Sequence, residues 1–568
     1  MLVKNQLADL VKQAIQNAQN AGALPAFDLP EVFIERPQKK EWGDFATSLP
    51  LKLARDAKRA PLQIAQTMVA HFPASDAVAR VEPSAPGFVN IVLSDAWLAR
   101  QVDAILAEGE QFGNLRPARR EKIQVEHVSA NPTGPMHVGS GRNGAIGDTL
   151  ANILQAAGHD VQREYYINDN GTQIRQFGAS LFATYAQALG RDEKVPEGGY
   201  QGAYVVEMGK QLAQQYGDKY LQMPRAQAIR ELGLWGIDAV LASLHETLAQ
   251  MNVRFDRWFS ERSLHEGARS VFAQVLETLR EKGLVFEKDG ATWFAAQALG
   301  EEKDAVLIRS PQVIAEPDER PTYLASDVAY VWDKLAVRKF DRAIYVWGAD
   351  HHGDVPRVIT AVRALGLDPN RVTILLYQFV TLRRGAEIVR MSKRTGEFVT
   401  LDELIQEVGA DAVRFMLITR TADTPMDFDL DLAVKQSDEN PVYYVQYAHA
   451  RIASILKKAA ETGDPSAALR DGDVSLLTHP AELELIRAML RLPEIVEMAA
   501  SKLEPHHLPH YAIDLAGVFH SFYKQCRVVS SDPADAALTH ARLKLVAAAK
   551  ITLARTLLLM GVRAPEIM

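Results

Sequence analysis

The sequence predicts a multidomain α/β protein with a parallel sheet that an insertion splits into two halves. Three observations support this prediction. The chain of 568 residues is too long for a single hydrophobic core. In its middle part, runs of β-branched residues alternate with helical segments, which is typical of a parallel sheet. Its last quarter reads almost entirely helical, so an all-α domain is expected there.

The composition indicates an ordinary multidomain enzyme in a reducing compartment. Hydrophobic residues make up 47% and charged residues 24% of the chain. The formal net charge of −8 gives no sign of a nucleic-acid binder, although local basic patches can still hold phosphates. A single cysteine, Cys526, excludes an internal disulfide framework and any metal site built on cysteines. These features predict a cytoplasmic protein.

The N-terminus predicts an amphipathic helix rather than a signal peptide. Leu7, Leu10, Val11 and Ile15 recur at helical spacing, and the segment has no uninterrupted apolar core. No apolar stretch of the sequence is long enough to span a bilayer, so no membrane association is expected.

Domain boundaries follow from changes in this pattern. Residues 1–112 predict a small α/β domain with a strand at residues 87–93, and a basic, proline-containing linker at residues 116–122 leads away from it. Residues 113–424 predict the middle domain and residues 425–568 a helical domain. The predicted elements of the middle domain are strands at 123–127, 161–167, 343–347 and 372–377, helices at 141–157 and from Val355, and a mostly helical insertion near 170–285.

A glycine-rich turn follows the first strand of the middle domain. Gly139, Gly141 and Gly144 satisfy the pattern G-x-G-x-x-G between a predicted strand and a predicted helix. The acidic Glu164 follows at the spacing expected for a ribose ligand. The turn is therefore a formal match to a dinucleotide site, and a dehydrogenase is one alternative. A plain glycine-rich turn without function is another.

Three features favour a different phosphate site. The turn begins with a long, rigid Asn-Pro-Thr-Gly-Pro entry at residues 131–135, whereas a dinucleotide site needs its glycines tight against the strand. His137 precedes the first glycine, where its imidazole can donate to a phosphate. A second phosphate-binding segment occurs near residue 390, and hydride transfer does not need one.

The turn resembles the HIGH motif of class I aminoacyl-tRNA synthetases. The residues that carry this resemblance are Asn131, Pro132, Thr133, Gly134, Pro135, Met136, His137, Val138, Gly139, Ser140 and Gly141. A glycine in such a motif lets ATP approach the backbone, and a helix N-terminus favours phosphate charge. The resemblance makes His137, Gly139 and Ser140 catalytic, with Ser140 standing where the family usually has histidine.

Residues 390–396 follow the last predicted strand and resemble the KMSKS loop of the same class. Such a loop needs mobile cations that meet the β- and γ-phosphates in the transition state. Arg390 replaces the first lysine and Lys393 retains the second, and the resemblance makes both catalytic. Arginyl enzymes that lack the second lysine often carry a lysine before the HIGH motif, where this chain has Gly134. A solvated basic loop is the alternative for this segment taken alone.

Two carboxylates are candidates for holding an arginine substrate. A guanidinium is planar and permanently charged, so its pocket needs carboxylates placed for bidentate hydrogen bonds. Glu126 and Asp327 are the candidates, and Tyr323 lies four residues before Asp327 on the same predicted helical face. Residues 322–330 resemble a Thr-Tyr-x-x-x-Asp-x-Ala-Tyr segment of arginyl-tRNA synthetases, and the resemblance gives Asn131 the α-amino group of arginine. Taken singly, each carboxylate also fits a solvated charge.

Residues 348–353 end a predicted strand with two histidines and an aspartate, a pattern shared by metal sites and nucleotide walls. No cysteine or ligand-bearing helix is near, so no bound metal is expected. The resemblance makes the segment part of an ATP site. The residues then implied in ATP binding are Pro135, His137, Val138, Gly139, Gly141, Gly348, Asp350, His351, Met391, Ser392 and Lys393.

Residues 440–452 alternate tyrosine and histidine with glutamine and arginine on a predicted helix, which offers stacking surfaces and phosphate donors. A buried aromatic helix is the alternative. The string resembles the first helix of the anticodon-binding domain of arginyl-tRNA synthetases, and residues 1–112 resemble the family's N-terminal domain, which contacts the tRNA elbow. The tRNA-binding residues so implied are Lys39, Lys40, Tyr443, Gln446, Tyr447 and Arg451.

The resemblance, which is to bacterial members of the family, spans essentially the whole chain. It implies a split Rossmann-type catalytic domain, ATP-dependent attachment of L-arginine to tRNA(Arg) through an arginyl-adenylate, Mg²⁺ bound with ATP, and a monomer. A dehydrogenase and a non-catalytic tRNA-binding relative are the alternatives, and the presence of His137 and Lys393 argues against the second. Residues 310–320 have no predicted function.

Overall fold

The computed structural model describes residues 2–267, 269–311, 320–389, 399–462 and 469–568. The predicted second phosphate loop lies outside these ranges, as does most of the segment 310–320. The predicted site residues without a structural description are Arg390, Met391, Ser392 and Lys393.

The N-terminal region is a three-stranded antiparallel sheet with helices packed on it. Its helices are α1 (Val3–Asn20), α2 (Leu49–Ala57), α3 (Pro61–Ala70) and α4 (Asp95–Glu108). Its strands are β1 (Phe45–Thr47), β2 (Val78–Ser84) and β3 (Phe88–Leu93), with β3 in the middle. The predicted amphipathic helix is confirmed as α1, which buries Leu7, Val11 and Ile15.

A five-stranded parallel sheet forms the centre of the molecule. Its strands are β4 (Lys122–Glu126), β5 (Asp160–Ile167), β6 (Arg257–Ser260), β10 (Arg342–Gly348) and β11 (Val372–Tyr377), in the spatial order β11-β10-β4-β5-β6. The predicted split sheet is confirmed, because β4 of the first half pairs in parallel with β10 of the second. The helix α5 (Val138–Ala156) leads from β4 to β5 on one side of this junction. Ligand sites form at such a switch point, at the carboxyl ends of the strands.

The insertion after β5 is less helical than predicted. Its helices are α6 (Thr172–Ala188), α7 (Ala203–Tyr216) and α8 (Arg225–Gln250). The chain then returns to the main sheet, where β6 pairs in parallel with β5. Within the predicted, mostly helical insertion near 170–285, residues 257–260 therefore belong to the main sheet. A strand of four residues is too short for its periodicity to be recognised in the sequence.

A small antiparallel sheet and further helices complete the middle of the chain. The strands of this sheet are β7 (Val285–Lys288), β8 (Ala291–Phe294) and β9 (Ala305–Ile308). The helices are α9 (Val271–Glu281), α10 (Tyr323–Trp332), α11 (Val355–Ala364), α12 (Leu401–Val408) and α13 (Ala410–Leu417). A capping box between Thr400 and Glu403 fixes the start of α12.

The C-terminal region becomes helical later than the predicted residue 425. Three short strands precede it, namely β12 (Val380–Arg384), β13 (Glu387–Ile388) and β14 (Met426–Asp429), and β12 pairs with both of the others. The helices that follow are α14 (Leu430–Ala433), α15 (Pro441–Thr462), α16 (Pro480–Met489), α17 (Leu492–Lys502), α18 (His507–Gln525) and α19 (Ala536–Leu559). Within the described ranges, no helix combines the length and the apolar character needed to cross a membrane.

The N-terminal region docks on the C-terminal helices through charged side chains. Arg36 donates two hydrogen bonds of 2.8 Å to the carboxylate of Glu494 on α17. Arg487 on α16 donates one of 2.6 Å to Asp44. Bidentate pairs of this kind fix orientation as well as distance. These contacts hold the two ends of the chain in a defined relative position.

Candidate active site

His137 stands at the start of α5, directly after the loop that leaves β4. It is the N-cap residue of α5, and its Nδ1 accepts a hydrogen bond of 3.3 Å from the backbone N–H of Ser140. Burial lowers the pKa of His137, although the charge of Asp350 opposes this shift. The imidazole is therefore neutral at pH 7, with Nδ1 as an acceptor and Nε2–H left as a donor.

The glycines of the turn allow close packing around this loop. A Cβ at Gly139 would lie 3.0 Å from the His137 ring, and a Cβ at Gly141 would lie 2.6 Å from the Leu401 side chain. Leu401 begins α12, and its backbone N–H donates to the Met136 carbonyl oxygen over 2.8 Å. The chain that follows the predicted second phosphate loop therefore lies directly against the first one.

Glu164, the acidic residue that a dinucleotide site would need, is hydrogen-bonded within the protein core. Glu164 is completely buried, and one of its carboxylate oxygens accepts hydrogen bonds from the core of the protein. The donors are Arg338 at 2.8 Å, Tyr330 at 2.6 Å and Gln124 at 3.0 Å. A carboxylate engaged in this way is not free to accept from ribose hydroxyls. The geometry therefore argues against a dehydrogenase.

Two polar side chains on α5 join the two halves of the sheet. Asn143 accepts a hydrogen bond of 2.8 Å from the Val128 N–H and donates one of 2.9 Å to the Val346 carbonyl oxygen. Arg142 is buried, and its guanidinium donates to three carbonyl oxygens, those of Gln378 (2.7 Å), Thr421 (2.9 Å) and Thr424 (3.0 Å). Sequence reasoning missed both residues, because polar residues at the start of a helix look like surface groups.

The predicted nucleotide wall lies on the neighbouring strand. Gly348 ends β10, and a Cβ at this position would collide with the carboxylate of Asp350 in the short 3-10 helix that follows. Glycine leaves room for the Asp350 side chain in this position. His351 is exposed, with its ring 5.9 Å from that of Trp347. Because β10 pairs with β4, this wall and the His137 loop border the same strand ends.

Asp327 on α10 makes no ion pair within the described part of the chain. Burial raises the pKa of Asp327 to about 8, the charges of Glu261 and Glu126 add to this shift, and Lys334 opposes it. Tyr323 lies one turn earlier and is 56% exposed. Glu261 also contributes to a raised pKa of Tyr323, after burial. Tyr323 and Asp327 therefore border the same acidic surroundings.

Glu261 is a second carboxylate of this pocket, and sequence reasoning missed it. It directly follows β6, is only 4% exposed, and its Oε2 has no well-formed hydrogen bond within the described chain. Its Oε1 accepts a hydrogen bond of 2.5 Å from Ser326, whose hydroxyl lies 2.9 Å from Nε2 of His265. Burial, with a contribution from Asp169, raises the pKa of Glu261 to about 7. A buried carboxylate beside a second acidic group is a site for a cation.

Glu126 is already paired inside the protein. Its Oε2 accepts a hydrogen bond of 2.7 Å from the completely buried ammonium group of Lys334, and its Oε1 accepts one of 3.1 Å from Ser129. The charge of Glu126 is therefore balanced. The geometry favours Asp327 and Glu261 as the carboxylate pair for a guanidinium, in place of the predicted Glu126 and Asp327.

Asn131 lies at the exposed start of the loop that leads to His137. Its Oδ1 accepts a hydrogen bond of 3.1 Å from the side chain of Asn168, which follows β5. Asn168 also interacts with the hydroxyl of Tyr323. Two predicted arginine-binding residues, Asn131 and Tyr323, are thus bridged by a third polar residue that the sequence did not single out.

The exposed face of α15 carries stacked aromatic rings and a cation. The rings of Tyr443 and Tyr447 lie 6.0 Å apart and almost parallel, at 8°. Arg451 donates a hydrogen bond of 2.6 Å to the Tyr447 hydroxyl, and its guanidinium lies 5.4 Å from the ring of Tyr523 on α18. Such a surface offers both stacking and phosphate contacts to single-stranded nucleic acid.

Gln446, unlike Tyr443, Tyr447 and Arg451, is not part of the exposed face of α15. It is buried, and its side-chain amide donates to Asp411 at 3.0 Å and to the Arg563 carbonyl oxygen at 2.9 Å. Its N–H groups are used within the protein. The geometry therefore does not support the predicted contact of Gln446 with tRNA, and it assigns this residue to the docking of the C-terminal tail on α15.

The two lysines predicted to bind tRNA, Lys39 and Lys40, have different partners in the structure. The Lys40 ammonium lies 2.5 Å from Glu484 on α16, so this lysine joins the contacts between the two ends of the chain. The Lys39 side chain is exposed, with its ammonium 5.1 Å from the ring of Trp42. Both ammonium groups remain accessible to a phosphate, because the Lys40 side chain is 86% exposed and the Lys39 side chain, whose Nζ lies 3.7 Å from Glu41, is 61% exposed.

Family models match three parts of the chain. The model described as tRNA synthetases class I (R), catalytic domain, matches residues 101–420. The DALR anticodon binding domain matches residues 445–568, and the arginyl tRNA synthetase N terminal domain matches residues 5–93. The fold and the site thus define a class I aminoacyl-tRNA synthetase.

Comparison with individual proteins shows which family within this class the chain is similar to. The chain is 49% identical to the arginine–tRNA ligase of Dehalococcoides mccartyi and 46% identical to that of Heliobacterium modesticaldum, over at least 99% of each chain. Its structure is similar to that of Thermus thermophilus arginyl-tRNA synthetase, with a TM-score of 0.74, 25% identity and full coverage of both chains. The chain belongs to the arginyl-tRNA synthetase family.

Proposed function

We propose that the cleft at the carboxyl ends of β4, β5 and β10 activates arginine with ATP and then transfers it to tRNA. As a member of its family, the chain is an arginine–tRNA ligase that attaches L-arginine to tRNA(Arg) for translation. The observation that carries the choice of this cleft is the unbalanced carboxylate pair of Asp327 and Glu261, next to the strand end where the His137 loop begins.

ATP, bound with Mg²⁺, is proposed to lie between the His137 loop and the turn after Gly348. Pro135, Val138, Gly139 and Gly141 shape the phosphate side, where the α5 N-terminus favours negative charge. Asp350 and His351 border the nucleoside side. Ser140 contributes its backbone N–H to capping by His137, so its hydroxyl is the part left for a phosphate. The cations for the outer phosphates are assigned to Arg390 and Lys393.

Arginine is proposed to bind with its guanidinium between Asp327 and Glu261, covered by Tyr323. Ser326 and His265 fix the orientation of Glu261. Asn131, at the opposite end of the pocket, would receive the α-amino group, and Glu126 with its partner Lys334 would line the pocket between them. Two carboxylates around one guanidinium give bidentate contacts that a lysine substrate cannot match.

The reaction then runs in two steps. A carboxylate oxygen of arginine attacks the α-phosphorus of ATP, and the bond to the β-phosphate breaks as pyrophosphate leaves. Nε2–H of His137 donates to the phosphate oxygens as their charge grows, and Lys393 and Arg390 do the same for the leaving pyrophosphate. A hydroxyl of the terminal tRNA ribose next attacks the carbonyl carbon of arginyl-adenylate, AMP leaves, and the hydroxyl proton is released.

The tRNA is proposed to contact both ends of the chain. Tyr443, Tyr447 and Arg451 form a stacking surface for anticodon bases, and Lys39 reaches a phosphate at the elbow. Because the two ends dock on each other, their contacts span the tRNA at a fixed distance. A monomer in the cytoplasm stays a prediction, which sedimentation of the purified chain and its location in cells would check.

The proposed function is tested by charging. The purified full-length chain is expected to attach labelled arginine to tRNA(Arg) in the presence of ATP and Mg²⁺, and not to attach lysine. NAD titration serves as the counter-test. Saturable NAD binding without arginine charging would replace the proposal with the dehydrogenase alternative.

A further inference from the structure

The helical insertion α6–α8 is held together by close backbone contacts. On α6, a Cβ at Gly178 would collide with the Ile229 carbonyl oxygen of α8. The Thr184 hydroxyl of α6 lies 3.1 Å from the Val205 carbonyl oxygen of α7. Packing of this density leaves little freedom for one helix to move against another. The insertion therefore holds whatever it contacts in a fixed position.

Tyr204, in the first turn of α7, reaches the His137 loop. Its hydroxyl donates a hydrogen bond of 2.7 Å to the Thr133 carbonyl oxygen. A Cβ at Gly134 would lie 3.1 Å from the same hydroxyl. Thr133 and Gly134 belong to the rigid entry that leads to His137. Tyr204 therefore fixes the entry of this loop from outside the sheet.

Thr247, near the end of α8, reaches α12, the helix that follows the predicted second phosphate-binding loop. It is 2% exposed, and its hydroxyl lies 2.7 and 2.9 Å from the two carboxylate oxygens of Asp402. Asp402 belongs to the first turn of α12, which begins shortly after the predicted second phosphate loop. The neighbouring Leu401 donates to the carbonyl oxygen of Met136. The insertion thus contacts both the entry of the His137 loop and the first turn of α12.

We infer that the helical insertion is a brace for the His137 loop and for the start of α12, with Tyr204 and Thr247 as its two positioning residues. The inference rests on the proposed nucleotide site, which gives these loops their task. Tyr204 acts through the loop backbone and Thr247 through Asp402. Loss of either hydroxyl misplaces a loop and impairs the use of ATP, because catalysis depends on sub-ångström placement of its donors. The carboxylate end of the arginine pocket, built on α10 and the end of β6, is left in place, whereas Asn131 lies in the loop entry that Tyr204 fixes.

The test measures ATP–pyrophosphate exchange by full-length variants in the presence of arginine and tRNA(Arg). Tyr204→Phe and Thr247→Val are each expected to lower kcat/KM for ATP about tenfold, as the loss of one hydrogen bond allows. In Thr247→Val the KM for arginine should stay within about twofold of the wild-type value. Thr247→Ser, which keeps the hydroxyl, should restore most of the lost activity.

Matched controls remove the same kind of hydroxyl at helical positions away from both contacts. Tyr216→Phe lies on the same helix as Tyr204, about 18 Å further along it. Thr278→Val lies on α9, where the hydroxyl contacts the Gln274 carbonyl oxygen of its own helix. Both controls should keep wild-type kinetics for ATP.

The outcomes separate the brace from the nucleotide site itself. Wild-type ATP kinetics in both Tyr204→Phe and Thr247→Val would overturn the brace, and so would an equal rise of the two substrate KM values without rescue by Thr247→Ser. His137→Ala is measured alongside. If this variant loses exchange while the hydroxyl variants keep it, only the brace fails; if it keeps wild-type exchange, the proposed nucleotide site fails as well.

Discussion

The buried ammonium group of Lys334 lies 2.7 Å from the carboxylate of Glu126, and this ion pair leaves two other acidic groups unbalanced in the pocket. Burial lowers the pKa of Lys334 to about 8, and Glu126 opposes this shift. Asp327 and Glu261 show the opposite effect, since burial raises their pKa values to about 8 and about 7. In the proposed complex, a guanidinium bound between these two supplies a compensating positive charge.

Neutralising either carboxylate should weaken arginine binding. Asp327→Asn and Glu261→Gln each remove a charge-assisted contact, so the KM for arginine should rise by about 10- to 100-fold with the KM for ATP unchanged. Exchange kinetics at varied arginine and ATP measure both constants. Glu266→Gln, which removes an exposed carboxylate paired with Arg262, is the matched control. A wild-type arginine KM in Glu261→Gln would remove that residue from the pocket.

Arginine binding should depend on pH in the physiological range. Below pH 7 the raised pKa values keep Asp327 and Glu261 protonated in the free enzyme, and the guanidinium must displace these protons. The KM for arginine should therefore rise at least about tenfold from pH 8 to pH 6, and binding at pH 7 should release about one proton. Calorimetry in two buffers of different ionisation enthalpy measures the release. Proton uptake, or no exchange of protons, would contradict this assignment.

The Asp327 carboxylate should lower the melting temperature of the substrate-free enzyme at high pH. The pKa of Asp327 is raised on folding, so its favourable contribution is complete at pH values near 4 and is lost as the pH rises through about 8. Asp327→Asn should melt together with the wild type below pH 4 and on the order of 5 °C above it at pH 9. Saturating arginine should reduce the difference. Equal melting temperatures at pH 9 would show that the Asp327 carboxylate is not destabilised by burial.

Changes to the aromatic surface of α15 should weaken tRNA binding without affecting the binding of arginine or ATP. Arg451→Ala is expected to raise the KM for tRNA(Arg) about tenfold and to reduce the salt dependence of tRNA binding by about one ion. The KM values for arginine and ATP should not change. Arg470→Ala removes an exposed arginine that pairs with its neighbour Asp471, and it should leave tRNA binding intact. Equal effects of the two substitutions would mean that Arg451 contributes only general positive charge.

Periodic and motif-bearing segments of the sequence were sufficient to predict the overall fold. The split sheet was predicted from β4, β5, β10 and β11, because each carries β-branched or aromatic residues and alternates with helical segments. The strand β6 escaped prediction, since four residues after a long helix carry no recognisable period. Glu261 was not predicted as a site residue for the same reason. An acidic residue indicates a site only when it is known to follow the end of a strand.

Hydrogen-bond partners in the structure distinguish residues that looked alike in the sequence. Glu126 and Asp327 both stood out as acidic residues in motif-like segments, and only the three-dimensional contact with Lys334 distinguishes them. Gln446 lies among exposed tyrosines in the sequence, yet the C-terminal tail covers its amide. Such pairings join residues more than one hundred positions apart, so no local pattern reports them.

Arginine-dependent ATP–pyrophosphate exchange tests most directly the central claim that this cleft activates arginine. The purified chain, assayed with tRNA(Arg), is expected to incorporate labelled pyrophosphate into ATP when arginine is present and not when lysine replaces it. Asp327→Asn should shift this activity to much higher arginine concentrations, and omission of tRNA(Arg) should reduce it. Absence of exchange with arginine and tRNA(Arg), or equal exchange with lysine, would contradict the account.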